Sequence, residues 1–357
     1  MIKEKVQLKI ASPLHSPQEA VPLIKRGASE LYCGVLEKNT GSYYYSGCFN
    51  TRAVPTANLA SFEELERTVE EAHSAGGKVS LAINKFYAQK QYDQALLHAE
   101  KGAEKGADSL IVSDIALMLK LKKHGFFGKK FYVSSVAAVY NSESVDFYKQ
   151  LGASRIILPS QITLEEIKGL KERHKDIEFE VFIFNNQCHN INGFCGFLHG
   201  IYAEMFLPKF MRGKGRLMRK SFISNFLLRG FSEKFKNMIT LKTFGCLQTF
   251  ELRFEKKLNA GVPSEGRGII WDPGTYFYRC GACFLYRLKG AGVEFVKIIG
   301  RNRTTATKLN DTEFISRAAG LTGTVGGEAE FLEKVKRMRI KIYGHKKCGG
   351  QYCYFND

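Results

Sequence analysis

Gly106-Ala107-Asp108-Ser109-Leu110-Ile111-Val112-Ser113-Asp114 holds one complete joint of the fold. Glycine ends a helix because it takes a left-handed backbone there without a Cβ clash. An apolar run of strand length follows, and Asp114 then stands where a carboxylate can cap the next helix. The same pair recurs at Gly27-Ala28 and Gly152-Ala153, each time just before an apolar run. Working outward, strands are predicted at Gln7–Ser12, Glu30–Val35, Lys78–Asn84, Ser109–Asp114, Lys130–Ser135, Arg155–Ser160, Glu178–Phe184 and Glu294–Arg301. Each is rich in Val, Ile, Leu or Phe without strict alternation, as parallel strands covered on both faces are. Helix starts lie between them: Ser61 precedes Phe62-Glu63-Glu64, and Thr163 precedes Leu164-Glu165-Glu166, both as capping boxes. Eight strands in series with helices predict an α/β fold, a (β/α)8 TIM-like barrel. An open doubly wound sheet is the alternative.

The seventh connection, from Asn185 to Val293, is too long for one helix and must carry an insertion. The expected division is a barrel over residues 1–186 and 291–330, a cysteine-rich basic lobe over 187–290, and a tail over 331–357. No run of about 18 apolar residues exists, so no membrane-spanning helix is expected. The opening stretch Met1 to Lys9 is charged and lacks an apolar export segment, which predicts a reducing, cytoplasmic compartment. With 44% apolar and 25% charged residues, the composition excludes wholesale disorder.

Net charge is the outlier, at +18. Such an excess favours polyanions, RNA first and an anionic membrane surface second. Ten lysines and arginines lie between Pro208 and Lys242 against Glu233 alone, interleaved with Phe210, Phe222, Phe226, Phe231 and Phe235. Cations mixed with aromatic rings can hold phosphates and stack bases. A small lobe with its own phenylalanine core and a wet lysine face accounts for the same pattern.

Nine cysteines in 357 residues, five of them within the insertion, point to a metal site in a reducing compartment. Cys188 and Cys195 are separated by six residues, and Cys246 and Cys280 follow. Four thiolates satisfy an iron–sulfur cluster or a tetrahedral zinc. Cys283 rivals Cys280 for the fourth place, because Cys280-x2-Cys283 is itself a metal-like spacing. Cys348 and Cys353 can form a second metal site, reach the first, or stay free. Cys33 and Cys48 read as small apolar core residues.

With these residues in view, the chain resembles the collagenase-like peptidase family U32 from about Leu8 to Arg301. The resemblance rests on Pro13, Gly27-Ala28, Tyr32-Cys33-Gly34, Phe49-Asn50-Thr51-Arg52-Ala53, Asn58, Phe62-Glu63-Glu64-Leu65, Ala72-His73, Asn84 and Asp114. Cys188-x6-Cys195, Gly245-Cys246-Leu247-Gln248 and Cys280 match its cysteine segments. It implies a [4Fe–4S] cluster on Cys188, Cys195, Cys246 and Cys280. It also implies oxygen-independent hydroxylation of an RNA base or of an aromatic, quinone-type ring. A collagenase-like peptidase and a non-catalytic, cluster-bearing partner of a homologous subunit are the alternatives. The chain departs from the family pattern at Ser134-Ser135-Val136, Ser160-Gln161, Phe184-Asn185 and Ile299. Four polar or charged groups at the expected active face are thus replaced, which predicts divergent chemistry or a partner role.

Strand ends supply the remaining candidates. Arg52, Asp114 and Asn84 are the expected catalytic groups, and Asn58, Asn185 and Arg301 the expected substrate contacts. Arg52 can clamp a carboxylate or phosphate bidentately. Asp114 serves equally well as a helix cap, His15 as a solvated loop residue, and His73 as a structural helix residue.

Overall fold

The computed structural model describes residues 7–37, 48–52, 55–125, 129–185, 187–188, 191–194, 251–253, 267–269, 278–344 and 348–355. Eight parallel strands close into a barrel, as expected. In chain order they are β1 (Lys9–Pro13), β2 (Glu30–Cys33), β3 (Lys78–Ile83), β4 (Ser109–Val112), β5 (Lys130–Val133), β6 (Arg155–Ile157), β7 (Glu178–Phe184) and, after a short antiparallel pair, β10 (Phe295–Ile298). β1 closes the cylinder on β10, with Lys9 opposite Phe295 and Ala11 opposite Lys297. The intervening pair is β8 (Glu251–Arg253) with β9 (Arg267–Ile269), Glu251 facing Ile269.

Helices α1 (Ala20–Lys25), α2 (Phe62–Ser74), α3 (Tyr92–Glu104), α4 (Ile115–Lys123), α5 (Ser142–Gln150), α6 (Leu164–Arg173) and α7 (Leu285–Gly290) follow the strands, and α8 (Thr305–Leu321) and α9 (Glu328–Tyr343) end the series. Their starts form as the residues dictate. Ser61 accepts from Glu64 N, and Thr163 shares a reciprocal box with Glu166. Gly27, Gly106 and Gly152 all take positive φ.

The chain divides into two compact units, Met1–Phe194 with Thr275–Asp357, and Cys195–Gly274. Residues 187–194, 275–290 and 331–357, assigned above to lobe and tail, fall in the first unit. The tail holds most of α9 and then returns to Cys280, which pairs with Cys353 in a parallel bridge.

Two layers fill the barrel. Ala11, Tyr32, Ala82, Ile111, Tyr132 and Ile157 form an apolar layer with Phe182 against it. Two residues back along the strands, the side chains turn ionic. Arg155 Nη1 bonds Glu30 and Glu180 at 2.9–3.1 Å, Lys297 bonds Glu180, and Ser80 bonds Glu30. The Arg155 guanidinium lies over the rings of Phe295 and Tyr132. Burial pushes Glu30 up; in Glu180 burial is overcome by Lys297 and Arg155, which hold its carboxyl below the usual range. The charges are paired where water is excluded.

Candidate functional site at the carboxyl end of the barrel

Arg301 follows β10 and is 7% exposed. Its Nη2 donates to Asn50 Oδ1 at 2.9 Å and its Nη1 to Asn58 Oδ1 at 3.4 Å. Asn50 Nδ2 donates to Asn58 Oδ1, Arg52 N to Asn50 Oδ1, and Asn58 Nδ2 to Arg52 O. The loop after β2 is thus tied into a knot around one guanidinium. Among the described residues no carboxylate forms an ion pair with Arg301. Burial lowers its pKa, and the nearby Arg52 charge acts in the same direction. A buried cation satisfied by neutral amide oxygens keeps its charge available to an anion.

Gly34 makes this knot possible. A Cβ there would collide with Asn58 Oδ1, Asn50 Nδ2 and Arg301 Nη1. The Tyr-x-Gly strand end therefore has a packing reason: Tyr32 OH bonds Ile298 O across the barrel, and Gly34 admits the arginine.

Cys188 reaches the same end of the barrel from the opposite side. Gln187 Nε2 donates to Ser160 O, and Gln161 Nε2 to Cys188 O at 2.7 Å. Asn192 bonds Ser160 Oγ and Ser135 Oγ. Gly193 lies so close to Val136 O and Ala138 that no side chain fits. The segment that begins with Cys188 is thus docked on the ends of β5 and β6. Its anchors, Ser135, Ser160 and Gln161, are among the residues at which the chain departs from the family pattern. Asn84 joins the two halves, accepting from Thr51 N and donating to Ser134 Oγ at 3.1 Å. Large apolar side chains stay uncovered on these loops: Phe194 is 75% exposed, Ile191 54% and Phe86 52%.

The structure places the other candidates elsewhere. Asp114 caps α4 through Leu117 N at 2.8 Å and also receives Tyr87 N and the Tyr92 hydroxyl, so its carboxylate ties the start of α4 to the connection after β3. Asn185, at φ 68, donates to Asp311 and Ile299 O. Its side chain therefore ties the end of β7 to the end of β10 and to α8. His15 belongs to a buried cluster in which Lys308 bonds His15 Nδ1 and Glu19 Oε2. His73 pairs with Asp108. Cys33 is fully buried and burial pushes its thiol up to about 12; Cys48 is also pushed up by burial. Both behave as core residues.

Of the four expected cluster ligands, Cys195 and Cys246 lie outside the described residues, as does the basic stretch between Pro208 and Lys242. Cys188 and Cys280 stand on linked segments: Gln187 Nε2 donates to Tyr354 O, and Tyr354 N to Cys280 O. The donor set suits a thiophilic centre. Among the described residues no group of three or more His, Cys, Asp or Glu side chains makes a ready metal cage. Asn50 is the site residue that the sequence selection left out, although it lies in the Phe49–Ala53 block. The signal was its place before Arg52; its partner, 251 positions away, was not visible.

The model of Peptidase family U32 matches residues 15–203, more than half of the chain. The chain belongs to this family. tRNA hydroxylation protein P of Escherichia coli is 29% identical over 138 residues, which is 39% of this chain and 30% of that protein. tRNA hydroxylation protein P2 of Bacillus subtilis is 23% identical, covering 48% of this chain and 51% of its own length. An uncharacterized protease of Methanocaldococcus jannaschii is 29% identical over 56% of this chain and 46% of its own. The chain thus spans about half or less of these curated relatives. A solved U32 peptidase overlays with a TM-score of 0.44 at 14% identity, covering 84% of this chain and 95% of the other. Among the described residues no helix is long and apolar enough to cross a membrane.

Proposed function

We propose that this U32 protein takes part in oxygen-independent hydroxylation of an RNA base, tRNA foremost, with an aromatic or quinone-type ring as the second substrate class. The carrying observation is the carboxyl end of the barrel, where Arg301 is buried among amide oxygens on one side and the segment of Cys188 docks on the other. In this reading Arg301 and Arg52 hold a phosphate or carboxylate, and the exposed Phe86, Ile191 and Phe194 give a ring something to stack on. A paired base has to leave its helix to enter. Asn84 fixes the two loops relative to each other. The relatives' names support the hydroxylation chemistry, and the net charge of +18 supports RNA. The cofactor in this reading is a [4Fe–4S] cluster on Cys188, Cys195, Cys246 and, by resemblance, Cys280; zinc is the rival. Such a cluster would supply electron transfer or polarise the substrate.

Mass spectrometry of tRNA nucleosides and quinones from a strain lacking the gene tests the reading. The wild-type gene restores a missing hydroxylated species, and Arg301→Met and Cys188→Ser fail to restore it. Unchanged nucleoside and quinone pools reject the reading. Gelatin cleavage that survives Cys188→Ser supports a peptidase instead.

A further inference from the structure

We infer that His15 is a further substrate contact whose Nε2–H, fixed by Lys308, donates to a phosphate or carboxylate oxygen beside Arg301. The inference deepens the reading above and rests on it only in taking Arg301 as the residue that meets an anion. Strand order brings the two residues together. Arg301 leaves β10 and reaches Asn50 and Asn58 in the loop after β2. β1 lies between those two strands and pairs with both. The loop leaving β1 therefore stands between the arginine's root and its partners, and it carries His15. Lys308, in the first turn of α8, joins them. Its Nζ donates to His15 Nδ1, to Glu19 Oε2 and to Arg301 O, the last at 3.3 Å.

An ammonium has three N–H donors and no acceptor, and Lys308 engages all three. His15 Nδ1 must then present a lone pair, so the ring proton stands on Nε2. The backbone is fixed as well: His15 N donates to Glu19 Oε2 at 3.0 Å, and Thr305 Oγ1 to Glu19 Oε1 at 2.7 Å. The side chain of Lys308 is 1% exposed and that of Glu19 2%, whereas His15 is 27% open. Among the described residues its Nε2 has no hydrogen-bond partner. A histidine that only faces water needs no desolvated ion pair behind one edge of its ring. Locking that edge orients the other, and orients it as a donor.

The charged and titratable groups facing Lys308 are Glu19 from the turn Pro17–Glu19, His15 from the loop after β1 and Arg301 from the loop after β10. Burial lowers the Lys308 ammonium to about 8, Glu19 opposes the shift, and the Arg301 charge adds to it. Glu19 is held at about 2. At neutral pH the lysine is therefore charged and the Nε2–H form is the resting one. As pH rises through about 8 the ammonium loses a proton. A neutral amine accepts as readily as it donates, so the donor at Nε2 is then no longer fixed.

Calorimetry on the full chain uses two probes, uridine monophosphate and benzoate, which separate a phosphate source from a carboxylate one. The wild type should bind at least one of them at neutral pH, with affinity falling as pH passes about 8. His15→Met, which keeps bulk without a donor, should weaken that probe by at least about tenfold and remove the pH step. His15→Gln, which keeps an N–H near the Nε2 position, should recover most of the loss. A histidine that only braces the loop would lower the thermal midpoint in both variants and leave anion affinity alone. Ring-nitrogen NMR, with His15 assigned by its loss in His15→Gln, should show Nδ1 bare and Nε2 protonated at neutral pH. An Nδ1–H or doubly protonated ring overturns the proposal, as do equal affinities of wild type and His15→Met, or no binding of either anion. The hydroxylation reading fails separately: unchanged nucleoside and quinone pools reject it and leave the anion contact standing. Pools fully restored by His15→Met reject the contact and leave hydroxylation standing.

Discussion

Gly34 sits where Asn50, Asn58 and Arg301 meet, and the site cannot keep its form around even one added methyl group. Gly34→Ala should push the arginine from its amides and destabilise the chain by about 1–3 kcal/mol, read as a lower thermal midpoint together with weaker anion binding. Glu19 makes a different kind of prediction. Burial pushes its carboxyl up, but His15 and Lys308 overcome this and hold it at about 2, below its ordinary 4.5. Between those values the unfolded chain binds the proton that the folded chain refuses, so stability rises with pH there. The contribution is complete above pH 4.5 and is lost as pH falls toward 2. Its size is up to about 3 kcal/mol. Acid denaturation of Glu19→Gln should lose this limb and start from a lower plateau, because Lys308 then lacks its carboxylate. An unchanged acid limb would show that another group carries it.

Elements matter most where a residue's role depends on a partner across the barrel. The strand periods were legible because buried parallel strands read as apolar runs between capped helices. The ionic layer was not legible. Glu30, Arg155, Glu180 and Lys297 look in one dimension like ordinary strand-edge charges, and nothing local says that Arg155 meets Glu30 125 residues away. Asp114 shows the reverse case: its position before α4 announced a cap, and the structure confirms that reading of the element. Arg155→Met leaves Glu30 buried without its cation and Glu180 with Lys297 alone, a loss expected to cost about 3–5 kcal/mol in denaturant melts. The double variant with Glu30→Gln should recover part of that loss. Asp114→Asn keeps an oxygen for Leu117 N but sets its NH2 against Tyr87 N, so it should cost about 1–3 kcal/mol of stability while leaving the proposed hydroxylation nearly unchanged. A large loss of hydroxylation in a stable Asp114→Asn protein would restore the carboxylate to the chemistry.

For the whole molecule, the barrel followed from counting βα units, while the path of the tail did not. Spacing along a chain gives loop lengths, and only the bridge between Cys280 and Cys353 reveals that the tail returns to the segment before β10. Charge is a whole-molecule property that the sequence gives without ambiguity, and it yields the sharpest test of an RNA substrate. Phosphate contacts release counterions, so the slope of log K against log salt counts them at about 0.7–0.9 per contact. If the basic stretch engages tRNA, replacing Arg212, Lys214, Arg216 and Arg219 together by alanine should lower that slope by about 3–4. Affinity at low salt should then fall for all tRNAs alike, since phosphate contacts carry no sequence information. A slope that stays the same would assign those charges to the solvated face of the lobe. The remaining positive charge, with Arg52 and Arg301 at the barrel mouth, would then have to account for any RNA bound.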